Sequence, residues 1–287
     1  MKQKPTIISL FLLFLSASLF SQEATIVGNS KALFNQYEEH ITPYRALSFE
    51  TVLEKTAQFF IGTPYVAHTL DMGSKEELVV NLEAVDCVTF VENVLALSLS
   101  AHSSNFSFED FVAQLQKIRY RNGEVVDYSS RLHYTSDWIY ENEQNNLLKN
   151  ISQQLSGKLE DKPINFMSSH RSAYKQLATD NAMWQKIKEM EKRINKRGGF
   201  YYLPKGAIYS KSKEIPHMAL IGFVTQIKGL DTTHVGFAYQ SDDGLSFIHA
   251  SSTAGKVVID SSTLSNYCFS QKNCIGVVIA KVLSKRM

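Results

Sequence analysis

Cys87 constrains this chain more than any other residue. It follows Asp86 at the mouth of an apolar run in which Phe90, Val91, Val94, Leu95 and Leu97 recur at helical spacing. Those side chains cover most of a helix circumference, so the helix has to be buried. Asp86 is the natural N-cap, because a short carboxylate accepts from the unpaired N–H groups of a first turn. Cys87 then stands in that turn, where free N–H groups and the positive end of the helix dipole favour a thiolate. An unperturbed thiol titrates near about 8.5 and is only a few per cent ionised at neutral pH. The first-turn position is therefore expected to activate it. A buried structural cysteine is the alternative.

The 287 residues, 44% hydrophobic and 20% charged, suit a globular chain with room for one large domain or two modest ones. A formal charge of +2 gives no electrostatic footprint for a nucleic-acid partner. P-loop, paired CxxC and HExxH motifs are absent from the sequence. The N-terminus has the pattern of a secretory signal. Lys2 and Lys4 precede an apolar stretch over 7–20, and Ser16, Ala17, Ser18 and Ser21 offer a cleavage zone near Ser21. That stretch is short for a membrane span. Residues 1–21 are thus expected to be removed, leaving a chain exported to the periplasm or secreted. Three cysteines in such a chain leave one over. Cys268 and Cys274 are near enough in sequence to pair, although spacing leaves the connectivity open. A leftover thiol in an oxidising compartment needs a reason, and Cys87 is the one with a helix behind it.

Helices are expected near 29–40, over 49–60 behind a Ser48 cap, over 108–119 behind a Ser107 cap, and over 181–196 before Gly198-Gly199. Residues 120–170 are polar and aromatic, with Asn122-Gly123 as a turn. Beyond Gly199 the pattern changes to short β-branched and aromatic segments over 219–227, 234–240, 246–251, 256–259 and 276–282. Helices first and strands later predict an α+β domain with a largely antiparallel sheet.

A cysteine nucleophile needs a base, usually histidine. His234 opens a strand whose alternation puts His234, Gly236 and Ala238 on one face, so the imidazole has small neighbours. A hairpin around Asp242-Asp243-Gly244 would bring His249 beside it, in the role that an Asp or Asn plays in other triads. The backbone N–H of Cys87 and a tyrosine hydroxyl such as Tyr65 are candidate donors to a developing oxyanion, each worth about 3 kcal/mol.

Gly62-Thr63-Pro64-Tyr65, Asp86-Cys87-Val88-Thr89-Phe90-Val91, Thr233-His234-Val235-Gly236 and His249-Ala250-Ser251 together resemble the NlpC-type papain-like cell-wall cysteine peptidases. The resemblance implies Cys87 as nucleophile, His234 as base, His249 as third residue and Tyr65 as oxyanion-assisting tyrosine. Two departures, Val-Thr-Phe-Val-Glu after the cysteine and the long interval before His234, resemble the N-acetylmuramoyl-L-alanine amidase-like branch. That branch implies an α+β, papain-like core over 22–287 with a central antiparallel sheet and a helical insertion at about 100–210. It implies cleavage of the amide between the muramyl lactyl group and L-alanine, in peptidoglycan or released muropeptides, with no metal or cofactor. The insertion would supply specificity: Arg131 to grip a stem carboxylate, Trp138 to pack on a sugar ring, and Ser130, His133, Tyr134 and Asp137 as hydrogen-bonders. The rivals are a γ-D-glutamyl-diamino-acid endopeptidase of the same superfamily, a wall-binding module without catalysis, and a thiol acyltransferase.

Overall fold

Capping decides where several helices start. Ser48, Ser107, Asp180 and Thr263 each accept from a backbone N–H of the turn that follows, contacts worth about 1 kcal/mol apiece. The computed structural model describes residues 24–283 except 72 and 74; the expected signal segment lies outside the described residues. The helices are α1 (Ser30–Ile41), α2 (Phe49–Phe59), α3 (Cys87–Ala101), α4 (Phe108–Arg119), α5 (Thr135–Gln144), α6 (Phe166–Ser169), α7 (Lys175–Ala178), α8 (Asn181–Asn195), α9 (Lys205–Lys211) and α10 (Leu264–Ser270). The strands are β1 (Thr25–Ile26), β2 (Val79–Val80), β3 (Leu148–Asn150), β4 (Lys158–Glu160), β5 (Phe200–Pro204), β6 (Leu220–Thr225), β7 (Thr232–Ser241), β8 (Gly244–Ser251), β9 (Lys256–Ile259) and β10 (Cys274–Val282). Among the described residues no helix is long and apolar enough to cross a membrane.

The central sheet runs β4-β5-β10-β6-β7-β8-β9, with β3 also on β10, and its pairs are antiparallel. Helix-then-strand order in the sequence therefore did predict the class. The stretch 100–210 differs from expectation: besides α4 to α9 it supplies β3, β4 and β5, and β3 and β5 pair directly with β10. It is stitched into the main sheet by backbone hydrogen bonds. Helix α5 had no local start signal, because Tyr134 makes no capping bond. Its free N–H at Ser136 instead donates to the carboxylate of Asp231, 2.6 Å away on the approach to β7.

Alternation along the strands gives the sheet two covered faces. Val224, Val235, Phe237 and Ile248 join α2, α3 and α4 in one core; Phe223, Ala238, Phe247 and Val277 join α9 and α10 in another. Helix α3 lies deepest. Phe90 meets Phe60 at 5.9 Å and Phe237 at 6.0 Å between centroids, both edge to face, and its burial contributes about 1.5–3 kcal/mol. Cys268 and Cys274 are joined by a disulfide that ties α10 to β10, which leaves Cys87 as the free thiol.

A buried ion pair locks α3 to α4. Arg119 Nε donates to Glu92 at 2.7 Å and Nη1 to the Val79 carbonyl at 2.6 Å, with both side chains 2% exposed. Removing one partner strands the other charge in the core. Glu92→Ala is expected to lower unfolding free energy by about 3–5 kcal/mol in urea titration, whereas replacing Glu92 and Arg119 together by apolar residues should cost much less.

Candidate active site

The first turn of α3 is fixed before anything else in the site. Asp86 Oδ1 accepts from the N–H groups of Val88 at 3.0 Å and Thr89 at 2.8 Å, and Thr89 Oγ1 accepts from the Asp86 N–H at 2.8 Å. This reciprocal capping box places Cys87 as the first helical residue. Backbone N–H groups of Val235, Cys87 and Val88 face its sulfur. Burial, and then the neighbouring Asp86 carboxylate, nevertheless push the thiol up to about 12. The helix end was expected to favour a thiolate. Burial first, and then the negative charge of the cap that builds the turn, oppose one and favour the neutral thiol.

The hairpin of β7 and β8 forms as expected, with Ser241 opposite Gly244 and Phe237 opposite Ile248. It brings His234 Nε2 within 2.6 Å of His249 Nδ1, the rings nearly perpendicular at 82°. Gly236 makes room: a Cβ there would lie 2.7 Å from the Ile248 carbonyl oxygen and 3.0 Å from the His249 Cβ. Burial among Phe223, Phe247 and Tyr267, and secondly the approach of His249, holds His234 down to about 3. His249 is 1% exposed; burial lowers it while Asp260, with a carboxylate oxygen 3.3 Å from Nε2, works the other way.

Tyr65 reaches the site because its segment is clamped between the start of β9 and the stretch that leads into α3. Its N–H donates to the Gly255 carbonyl, Val66 donates to the Val85 carbonyl, and Val85 donates back to Pro64. Gly62 opens that segment at φ +92°, a left-handed value suited to glycine. The Tyr65 hydroxyl is raised first by burial and then by the charges of Cys87 and Asp86; Tyr267 is raised by burial, Asp260 and Cys87. Two hydroxyls thus stand within electrostatic reach of the sulfur. Asp260 and Tyr267 escaped the sequence reading. Asp260 sits one residue past β9, in a place that looks like turn chemistry, and Tyr267 sits on the short α10.

The wall residues divide. His133 and Trp138 line a small apolar cavity with Val88, Val91, Thr135, Leu220 and Val235, beside the cysteine turn. His133 donates Nε2–H to the Tyr128 carbonyl at 2.7 Å, and burial with the nearby Arg131 holds it down to about 3. The Trp138 indole N–H has no partner among the described residues. Arg131 is 7% exposed, bonded to Asp71 at 2.6 Å, close to Glu76 and stacked over Tyr128. Ser130 closes the capping box of its own turn, accepting from the N–H of the cap residue Asp127. Tyr134 donates to Glu191 and accepts from Met167 N–H. Asp137 is fully buried between Arg121 and Arg197.

No curated protein sequence matches the chain. Among solved structures it is similar to an N-acetylmuramoyl-L-alanine amidase from Bacteroides uniformis, at 36% identity over 81% of this chain and 99% of that one, with a TM-score of 0.76. A further Bacteroides uniformis structure of the same name gives 34% identity over 82% and 99%, TM-score 0.74. A Bacteroides fragilis protein provisionally named a xylanase gives 33% identity over 79% and 99%, TM-score 0.73. Residues 55–277 match the N-acetylmuramoyl-L-alanine amidase-like family. On the extent of that match the chain belongs to the N-acetylmuramoyl-L-alanine amidase-like family, a family of peptidoglycan amidases.

Proposed function

We propose that the chain is a cysteine amidohydrolase that cuts the amide between N-acetylmuramic acid and L-alanine, in peptidoglycan or in muropeptides released from it. The observation that carries this reading is the row His234–His249, bonded at 2.6 Å, beside a helix-opening Cys87 whose sulfur faces the N–H of the residue after His234. We further propose a single papain-like domain over 22–287, exported, whose stretch 100–210 shapes the substrate cleft.

His234 commits Nε2 to His249, so Nδ1 is the nitrogen free to act. The neutral Cys87 thiol passes its proton to Nδ1 as sulfur bonds to the amide carbonyl carbon. The oxyanion accepts from the Cys87 N–H and the Tyr65 hydroxyl. Collapse breaks the C–N bond, and His234 returns the proton to the departing L-alanine amine. Water, deprotonated by the same nitrogen, then adds to the thioester carbonyl; the C–S bond breaks, Cys87 sulfur takes the proton back from His234, and the lactyl group leaves as its carboxylic acid, which ionises in water. His133 and Trp138, which line the cavity beside Cys87, front the substrate. Arg131, Ser130, Tyr134 and Asp137 hold that wall in shape.

The endopeptidase reading uses the same residues and differs only in the bond placed over Cys87. Glycoside cleavage calls for two carboxylates flanking the bond. The two carboxylates described at the site are engaged, Asp86 with two backbone N–H groups and Asp260 with Ser262 N–H and His249, which speaks against their serving as a glycosidase pair.

Mass spectrometry of defined muropeptides tests the assignment: wild type should release the intact stem peptide and Cys87→Ala should release none. A cut within the stem would move the chain to the endopeptidase, and full hydrolysis by Cys87→Ala would remove the cysteine from the mechanism. The pH profile has a sign. The base works only while His234 is neutral, and its depressed value keeps it neutral into acid. The acid limb of kcat/KM is therefore expected well below the ordinary histidine value of about 6.5; a limb at or above that value would contradict the neutral pair.

A further inference from the structure

We propose that Asp260 is a positioning residue that sets the tautomer of both histidines, and so keeps His234 Nδ1 free to take the Cys87 proton. The inference rests on Cys87 being the nucleophile.

Asp260 is itself held on three sides. Its N–H donates to the Phe247 carbonyl at 2.9 Å, its carbonyl accepts from Ser246 Oγ at 2.6 Å, and its Oδ1 accepts from Ser262 N–H at 2.7 Å. Only Oδ2 is left to face His249 Nε2, at 3.3 Å. An ionised carboxylate has acceptors and no donor, so the hydrogen of that contact belongs to His249 Nε2. A neutral imidazole carries one N–H, which makes His249 Nδ1 an acceptor. The nitrogen 2.6 Å from it, His234 Nε2, must then carry the hydrogen of the next contact. His234 Nδ1 is left with a lone pair. One carboxylate thereby dictates the state of an atom two rings away.

The same geometry makes an unusual ordering of variants. In Asp260→Asn the Ser262 N–H still needs an acceptor, so the amide oxygen stays on that side and the NH2 turns to His249. A donor now meets Nε2, and each hydrogen along the row shifts to the other nitrogen of its ring. His234 then presents Nδ1–H to a thiol that also needs to donate. Asp260→Ala removes the contact without imposing the wrong tautomer, so part of the population keeps a usable base. The isosteric change should be the more damaging one.

The experiment compares kcat and KM for wild type, Asp260→Asn, Asp260→Ala and Cys87→Ala on one purified N-acetylmuramoyl-peptide, together with nitrogen-15 NMR of histidine-labelled wild type. Asp260→Asn is expected to lose roughly 10²–10⁴-fold in kcat with KM little changed, as wrong-tautomer substitutions do elsewhere, and to fall below Asp260→Ala. NMR of wild type should find His234 protonated at Nε2 and bare at Nδ1. Asp260→Asn matching or exceeding Asp260→Ala would overturn the inference. So would a wild-type His234 carrying its hydrogen on Nδ1, a result that needs no variant to fold. Wild-type hydrolysis by Cys87→Ala would instead sink the nucleophile, while the NMR spectrum would still decide what Asp260 does.

Discussion

Helix α3 is apolar round almost its whole circumference, and burying it between α2, α4 and one face of the sheet is the constraint on which the remaining structure depends. Burial fixes the helix axis, the capping box fixes the start of its first turn, and together they place Cys87 at a boundary between core and cleft. On a loop, the proposed nucleophile would need its own support. Here support comes from the fold's main hydrophobic contact, worth several kcal/mol from Phe90, Val94 and Leu95 alone.

Desolvation governs the chemistry of the site as much as it governs the core. Both partners of the proposed proton transfer are pushed toward their uncharged forms, the thiol upward and the imidazole downward. A helix N-terminus is often invoked as sufficient to ionise a cysteine. In this chain the dipole, worth about 0.3–1 kcal/mol at an exposed end, competes with burial and with a carboxylate one residue away. The proton is best moved during attack, when the substrate is present to receive the charge.

Much of this was legible in the sequence, because the informative features were local. Caps at Ser48 and Ser107, the Asp86 cap and the alternation around His234 each express physics that acts within a few residues. The features that were missed are those made by contact at a distance. Helix α5 begins where Asp231, 95 residues away, supplies its cap. Strand β3 has three residues, too few to show a pattern, and both β3 and β5 are held by pairing with β10. Asp260 looks like any turn aspartate until β8 folds back to meet it. The wall residues chosen for their hydrogen-bonding capacity have much of it satisfied internally, Asp137 by two arginines and Tyr134 by Glu191. Composition reveals which residues can bond, and the fold decides with whom.

The Asp231 carboxylate holds Ser136 N–H at 2.6 Å, and Thr232 Oγ1 lies 2.6 Å from Thr135 Oγ1. The helix that carries Trp138 is therefore pinned to the strand that carries His234, two and three residues from those side chains. Under the proposed function, selectivity and reactivity share one hinge point in such an arrangement. A lineage that altered the cavity by shifting α5 would also disturb the strand that carries the proposed base. Change of substrate preference in this scaffold should thus proceed by swapping side chains on a fixed frame, with Asp231 left in place.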